Sequence, residues 1–214
     1  MKRVSSRGFT IVEMMIATAV FAVILLIITA GVMAFSKQYM RGQTSSNLQF
    51  TARQVSAQVG QDIQFGNGVD AAGPTQVITD LKYQVGCYRI GSNMYLYQIG
   101  SLVEGGNHAL ILVPNKSTSC SSVILGATTL KDALAAGGGA REMLSQGQRL
   151  LNFTISTGSP THSVAIGLAS GANDLFNPEI TPTTTAWASL KCKAGAGQEY
   201  CAVITLRTVA VERV

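Results

Sequence analysis

The sequence predicts an α+β protein: a long N-terminal α-helix, with a membrane-spanning half and an amphipathic half, packed on an antiparallel β-sheet head. Three observations predict it. Residues 14–35, from Met14 to Phe35, form a run of 22 residues without a charge. Past Lys37 apolar residues recur at helical spacing as far as the stop Gly66, Asn67, Gly68. Beyond that stop the chain holds most of its 22 glycines and breaks into short alternating segments, the pattern of strands and turns.

The elements follow in order. As a helix the uncharged run is about 33 Å long, enough to cross the hydrocarbon core of a bilayer. A secretory signal has a shorter apolar core followed by a small-residue cleavage site, whereas here the small residue, Gly8, precedes the run. Leu48, Ala52, Val55, Val59 and Ile63 then mark one face of an amphipathic helix, with Gln, Ser, Thr and Arg filling most other positions. All five prolines lie at or beyond Pro74, so nothing forbids one helix from Phe9 to about Phe65, roughly 85 Å long. Gly31, Gly42 and Gly60 are its weak points. In the head, "CYRI" and "MYLYQI" joined by Gly91, Ser92 and Asn93 read as a hairpin. "ALILVP" is a short apolar strand closed by Pro114, and "LKDALAA" a short helix ended by Gly137, Gly138 and Gly139. "LLNFTIS" alternates Leu151, Phe153 and Ile155, and "SVAIGLA" alternates Val164, Ile166 and Leu168. "YCAVITLRTVAVER" is a long final strand.

Charge is unevenly placed. Only 13% of the 214 residues are charged against 47% hydrophobic, which excludes a disordered chain. Removing Lys2, Arg3 and Arg7 from the 16 basic residues leaves 13 against 11 acidic ones, so a net charge of +5 falls to +2. The basic excess is mostly an amino-terminal property, and it suits the positive-inside rule better than a nucleic-acid footprint. Cys87, Cys120, Cys192 and Cys201 are the four cysteines. In an exported head they read as two disulfides, and four cysteines allow three pairings. The short glycine-rich interval between Cys192 and Cys201 favours closure of that loop, leaving Cys87 with Cys120. Zinc is the rival, but there is no Cys-x-x-Cys pair, and neither His108 nor His162 sits at ligand spacing, so no metal is expected.

One carboxylate, Glu13, stands at the start of the apolar run. A charge near the bilayer centre costs about 2.5–3.5 kcal/mol on insertion scales, and intramembrane acids tend to have a functional partner. Near the end of a span it can also reach the headgroups, which is the structural reading. Cleavage after Gly8 would supply the partner, by freeing the amine of Phe9. Between parallel helices offset along their axes, that amine of one chain meets Glu13 of the next. Such a pair fixes axial register, and repeated head to tail it builds an open helical filament.

"RGFTIVEMM" resembles the class III signal of type IV pilins and pseudopilins: basic leader, glycine, phenylalanine, and glutamate at the fifth position of the mature chain. The resemblance implies a pilin-like fold, cleavage between Gly8 and Phe9 by a prepilin peptidase, N-methylation of Phe9, and a role for Glu13 in filament assembly. Its implied partners are that peptidase, other major and minor pilins or pseudopilins, an inner-membrane assembly platform, and membrane lipid before assembly. "NLQFTARQVSAQVGQDIQFGNG", "YRIGSNMYLYQ" and "ITLRTVAVER" are similar to stretches of W-type minor pilins and J-type minor pseudopilins. Where major pilins commonly carry a mid-span proline, this chain has Thr29, Ala30 and Gly31, a departure that favours a minor subunit.

The division that follows is a cleaved leader over residues 1–8, a transmembrane and filament-core helix over 9–35, an amphipathic helix over 36–66 and a β-rich head over 67–214. The expected location is a single-pass inner-membrane prepilin with its head outside, then an extracellular filament. A minor pseudopilin of a type II secretion system is the alternative, and an uncleaved signal-anchored binding protein a third reading. No phosphate loop, nucleophile elbow or His-Glu-x-x-His motif occurs, so no catalytic residue or cofactor is expected. Tyr83, Tyr88, Tyr95 and Tyr97 near Lys82 and Arg89 offer a stacking face for single-stranded DNA if they are exposed. Contact with DNA or a host surface has no other motif behind it.

Overall fold

The computed structural model describes residues 9–66, 68–77, 84–116, 118–120, 129–156, 158, 160–180 and 187–213. Met1 to Gly8, Asn67, Lys82 and Tyr83 lie outside the described residues. The chain divides into two compact units, Met1–Met40 and Arg41–Val214. Helix α1 (Ile11–Phe65) runs without a break through the boundary and through Gly31, Gly42 and Gly60. A Cβ at any of these three glycines would meet open space, so none is there for close packing.

In the first unit α1 buries nothing: every described residue from Phe9 to Met40 is exposed. In the second unit the same helix buries Leu48, Ala52, Val55, Val59 and Ile63 as one stripe, with Thr51 and Ser56 beside it. Each of the larger apolar side chains contributes about 1.5–3 kcal/mol on full burial.

That stripe packs on a five-stranded antiparallel sheet in the order β1 (Val69–Val77), β2 (Gln84–Ile90), β3 (Asn93–Ile99), β4 (Leu110–Val113), β5 (Arg141–Glu142). Strands β2, β3 and β4 are buried on both faces, which is why they read as near-continuous apolar runs. Tyr88, Ile90, Tyr95, Tyr97, Leu110 and Leu112 share a core with α1. Val85, Cys87, Met94, Leu96, Ile111 and Val113 form a second core with Cys120 and Leu130 of helix α2 (Thr129–Ala135). The head is thus layered, with the amphipathic half of α1 on one side of the sheet and α2 on the other.

Strands β6 (Gln148–Ile155), β7 (Thr161–Ser170) and β10 (Ala202–Val211) form a second sheet in the order β10-β7-β6, and β8 (Phe176–Asn177) pairs with β9 (Lys191–Cys192). The Gly100 and Val103 N–H groups donate to Leu150 and Gln148 carbonyls, tying the chain after β3 to β6.

The β2–β3 hairpin is tighter than the sequence suggests: Gly91 and Ser92 alone form the turn, and Asn93 already belongs to β3. Gly91 has φ 57°, at the first central position of a two-residue loop, where glycine is the residue without steric cost. The simple alternation expected in "LLNFTIS" is interrupted. Leu151 is an extra residue between the Leu150–Leu168 and Asn152–Gly167 pairs, so Leu150 and Leu151 both reach the main core. Gly86 answers a close approach, since a Cβ there would lie 2.2 Å from the Tyr97 ring, its cross-strand neighbour.

Candidate functional site

The first turn of α1 is closed by its own side chains. Thr10 stands just before the helix, and its Oγ1 accepts a bond of 3.2 Å from the Glu13 N–H. The Glu13 carboxylate reaches back, with Oε2 accepting from the Thr10 N–H and from the Thr10 hydroxyl, both at 2.9 Å. This is a capping box, Thr-x-x-Glu, which satisfies helix-end donors reciprocally and places a negative charge at the positive end of the helix dipole. The sequence carries this signal as Thr10-Ile-Val-Glu13, the spacing of a capping box, which the reading of Glu13 as an intramembrane charge does not use. Glu13 therefore has a local structural role in addition to any role between chains. Its second oxygen, Oε1, has no hydrogen-bond partner among the described residues. Gly8 of the expected cleavage bond lies outside the described residues, and Phe9 on its other side is 79% exposed.

The surface that follows is apolar on every side. Ile11, Phe21, Leu26, Ile27, Met33 and Phe35 are among its exposed large side chains. Its polar groups are internally satisfied: the Thr18 and Thr29 hydroxyls donate to the Met15 and Leu25 carbonyls. That is the arrangement lipid demands, because a hydroxyl in hydrocarbon finds no water. The helix is long and apolar enough to cross a membrane once, with none of its most hydrophobic 18-residue window buried. These properties are consistent with single-pass anchoring.

In the head, Cys87 is joined to Cys120 and Cys192 to Cys201. The first bond crosses the second core beneath α2, and the second closes the glycine-rich loop before β10. Among the described residues no group of three His, Cys, Asp or Glu side chains is placed to hold a metal ion. The two histidines find acids that are remote in sequence. His108 Nδ1 lies 3.3 Å from Glu142 Oε2, and buried His162 bonds the Glu212 carboxylate at 2.9 Å and the Ser156 carbonyl at 2.6 Å. Glu142 also accepts the N–H groups of Ala109, Leu110 and Leu144, and burial holds its carboxyl above the usual range. Asp70 is shifted the other way. The Ser119 hydroxyl at 2.7 Å, aided by the Cys120 N–H and the Arg89 guanidinium, holds it below that range against the effect of burial.

The structure overturns the nucleic-acid stacking face for the tyrosines it describes. Tyr88, Tyr95 and Tyr97 are 6%, 0% and 1% exposed and enclose Phe153 at ring distances of 5.5, 6.3 and 5.4 Å. They face α1, and the Tyr95 hydroxyl donates to Asp62 of that helix, which also receives the Asn93 side-chain amide at 2.8 Å. Alternation in a strand places side chains on one face without saying which face is covered. Here the sheet is covered on both.

Comparison with known proteins gives one finding at the amino terminus. Residues 3–29 match the family model described as the prokaryotic N-terminal methylation motif. No curated protein and no solved structure matches the chain. The matched segment contains the basic leader, Gly8, Phe9, the capped Glu13 and most of the exposed apolar helix. It supports a type IV pilin- or pseudopilin-like protein, processed by a prepilin peptidase and assembling with other subunits of that kind.

Proposed function

We propose that the chain is a prepilin that becomes a minor subunit of an extracellular type IV filament, with a structural role and no catalytic one. The observation that carries the reading is the juxtaposition at residues 8–35: a methylation-type motif whose leader ends at Gly8, a single acid at Glu13, and a helix whose apolar surface has no cover among the described residues. Removal of the leader frees the Phe9 amine and methylation marks it. Glu13, with Oε1 open, accepts the amine of a neighbouring subunit, and lateral packing of exposed helices replaces lipid. Two disulfides in the head suit an oxidising compartment outside the inner membrane. The absence of a mid-span proline and the resemblance of the helix end, the β2–β3 hairpin and β10 to W-type and J-type subunits favour a minor subunit.

The test is intact mass and amino-terminal peptide mass spectrometry on protein from native membranes. A mature chain that begins at N-methylated Phe9 is expected. Retention of Met1 through Gly8 in cells with active prepilin peptidase overturns the reading. Processing separates a pilin from an uncleaved anchor, and Glu13→Ala then tests assembly. The variant should reach the membrane at wild-type level and be missing from sheared filaments. Its recovery in filaments at wild-type level removes Glu13 from assembly. Co-purification with a secretion system's pseudopilins and not with a pilus would move the chain to the alternative, a minor pseudopilin.

A further inference from the structure

On the head-packed half of α1, a cleft of about 430 Å³ opens between the helix and the turn that leads into β6. That volume lies within the roughly 300–1,000 Å³ of small-molecule sites. Asn47 and Phe50 line it from the helix, and Ser145, Gln146 and Ser170 from the sheet side. No acid or base lines it among the described residues. Phe50 is 70% exposed, and a single exposed phenylalanine means little by itself. This one stands three residues from Asn47, on the same side of the helix, facing hydroxyl and amide groups across the cleft. The side chains of Asn47, Ser145, Gln146 and Ser170 make no hydrogen bond among the described residues.

The frame of the cleft is fixed. Buried Gln148 donates from its amide to the Thr51 hydroxyl at 3.2 Å, and its side-chain oxygen accepts the Ser145 N–H at 3.1 Å. Gly147, with φ 76°, donates its N–H to the Val103 carbonyl at 3.0 Å. The turn is thereby pinned to the helix while its outward polar groups stay open, so ordering them is not left to the ligand.

The geometry points to a binding site for a neutral sugar ring in this cleft. A pyranose has an apolar C–H face, which a phenyl ring covers, and a rim of hydroxyls that both donate and accept. Carboxamides and hydroxyls meet that rim without the net charge that a phosphate or carboxylate ligand would require. An extended peptide would be drawn instead to an open sheet edge. The site is separate from residues 8–35, so its existence does not depend on processing at Gly8.

The test uses the full chain in phosphatidylcholine nanodiscs, since sugar-headed detergents would occupy the cleft. Saturation-transfer NMR is read with the methyl β-glycosides of glucose, galactose and N-acetylglucosamine, against empty nanodiscs. Transfer to the ring C–H protons of at least one glycoside is expected, weakened about tenfold by Phe50→Ala and by Asn47→Ala. Phe65→Ala, another exposed phenylalanine on α1, should leave it unchanged. Both tested side chains are exposed, so unchanged melting checks that the variants are folded. Doping the nanodisc with glucosylceramide distinguishes the sources. Loss of the transfer assigns a glycolipid headgroup, and persistence assigns a soluble glycan. No transfer from any of the glycosides overturns the site, as does transfer that survives Phe50→Ala. The latter result with weakened binding of a neighbouring subunit would make Phe50 a subunit contact.

Discussion

The two halves of α1 have the same backbone conformation and opposite dependencies. From Phe9 to Met40 no side chain is buried, yet the residues are almost all apolar. From Arg41 to Phe65 most positions are polar, yet a stripe of five apolar residues is covered by the head. The first half has no cover among the described residues, and its apolar surface suits lipid or other apolar helices. The second is part of the head's own core and helps determine its fold. Apolar content alone does not say whether a helix belongs to a protein's interior; the location of its cover does.

The largest test of this comparison is a charge placed in each half. Val55→Asp puts an unpaired carboxylate into the core and should cost more than about 4 kcal/mol, enough to unfold the head. Ile24→Asp should leave the head's denaturant midpoint within about 0.5 kcal/mol of wild type while impairing membrane insertion. Equal losses of head stability would show that the halves are one cooperative unit.

Disulfide removal comes next. Cys87–Cys120 closes 33 residues and Cys192–Cys201 closes 9. On loop-closure entropy, the paired serine variants should lose roughly 3.7 and roughly 2.6 kcal/mol, with the longer loop the greater loss. Urea unfolding of the two double variants checks the order. A smaller effect separates two glycines. Gly86→Ala drives a methyl into the Tyr97 ring and should cost about 1–3 kcal/mol, whereas Gly60→Ala meets open space within α1 and should gain about 0.5–1 kcal/mol. Thermal melting reads both signs.

The smallest effects are in pH dependence, confined to the head. Asp70 titrates below its ordinary value when folded, so its contribution is present above that value and is lost as pH falls through the lowered one. Asp70→Asn should flatten the acid limb of the stability curve. Glu142 titrates above its ordinary value, so the folded state holds its proton longer and stability falls as pH rises through that interval. Glu142→Gln should abolish that decline, even if it lowers stability overall through weaker acceptance from three N–H groups. Unfolding midpoints collected from pH 3 to pH 8 distinguish the two slopes.

The sequence by itself determined the helix, its division into an apolar and an amphipathic half, the stripe from Leu48 to Ile63, and most strands of the head. These depend on local periodicity, and a period of 3.6 or 2 is written into any short window. It also determined the amino-terminal signal, because leader, glycine, phenylalanine and glutamate are contiguous. Only the tertiary structure decided what is remote along the chain. It placed α1 and Phe153 of β6 over the tyrosine face of β2 and β3, which turned candidate stacking tyrosines into core residues, and helix α2 over the other face. It also gave His162 its Glu212 and Tyr95 its Asp62, pairs 50 and 33 residues apart. Even the strand β1, "VDAAGPTQV", was not recognisable from propensity, since Gly73 and Pro74 disfavour a strand; pairing with β2 decides it. The same holds for the cleft at Phe50, whose walls come from segments about a hundred residues apart. Periodicity specifies which face of an element is apolar, and only the packing of distant segments specifies what that face meets.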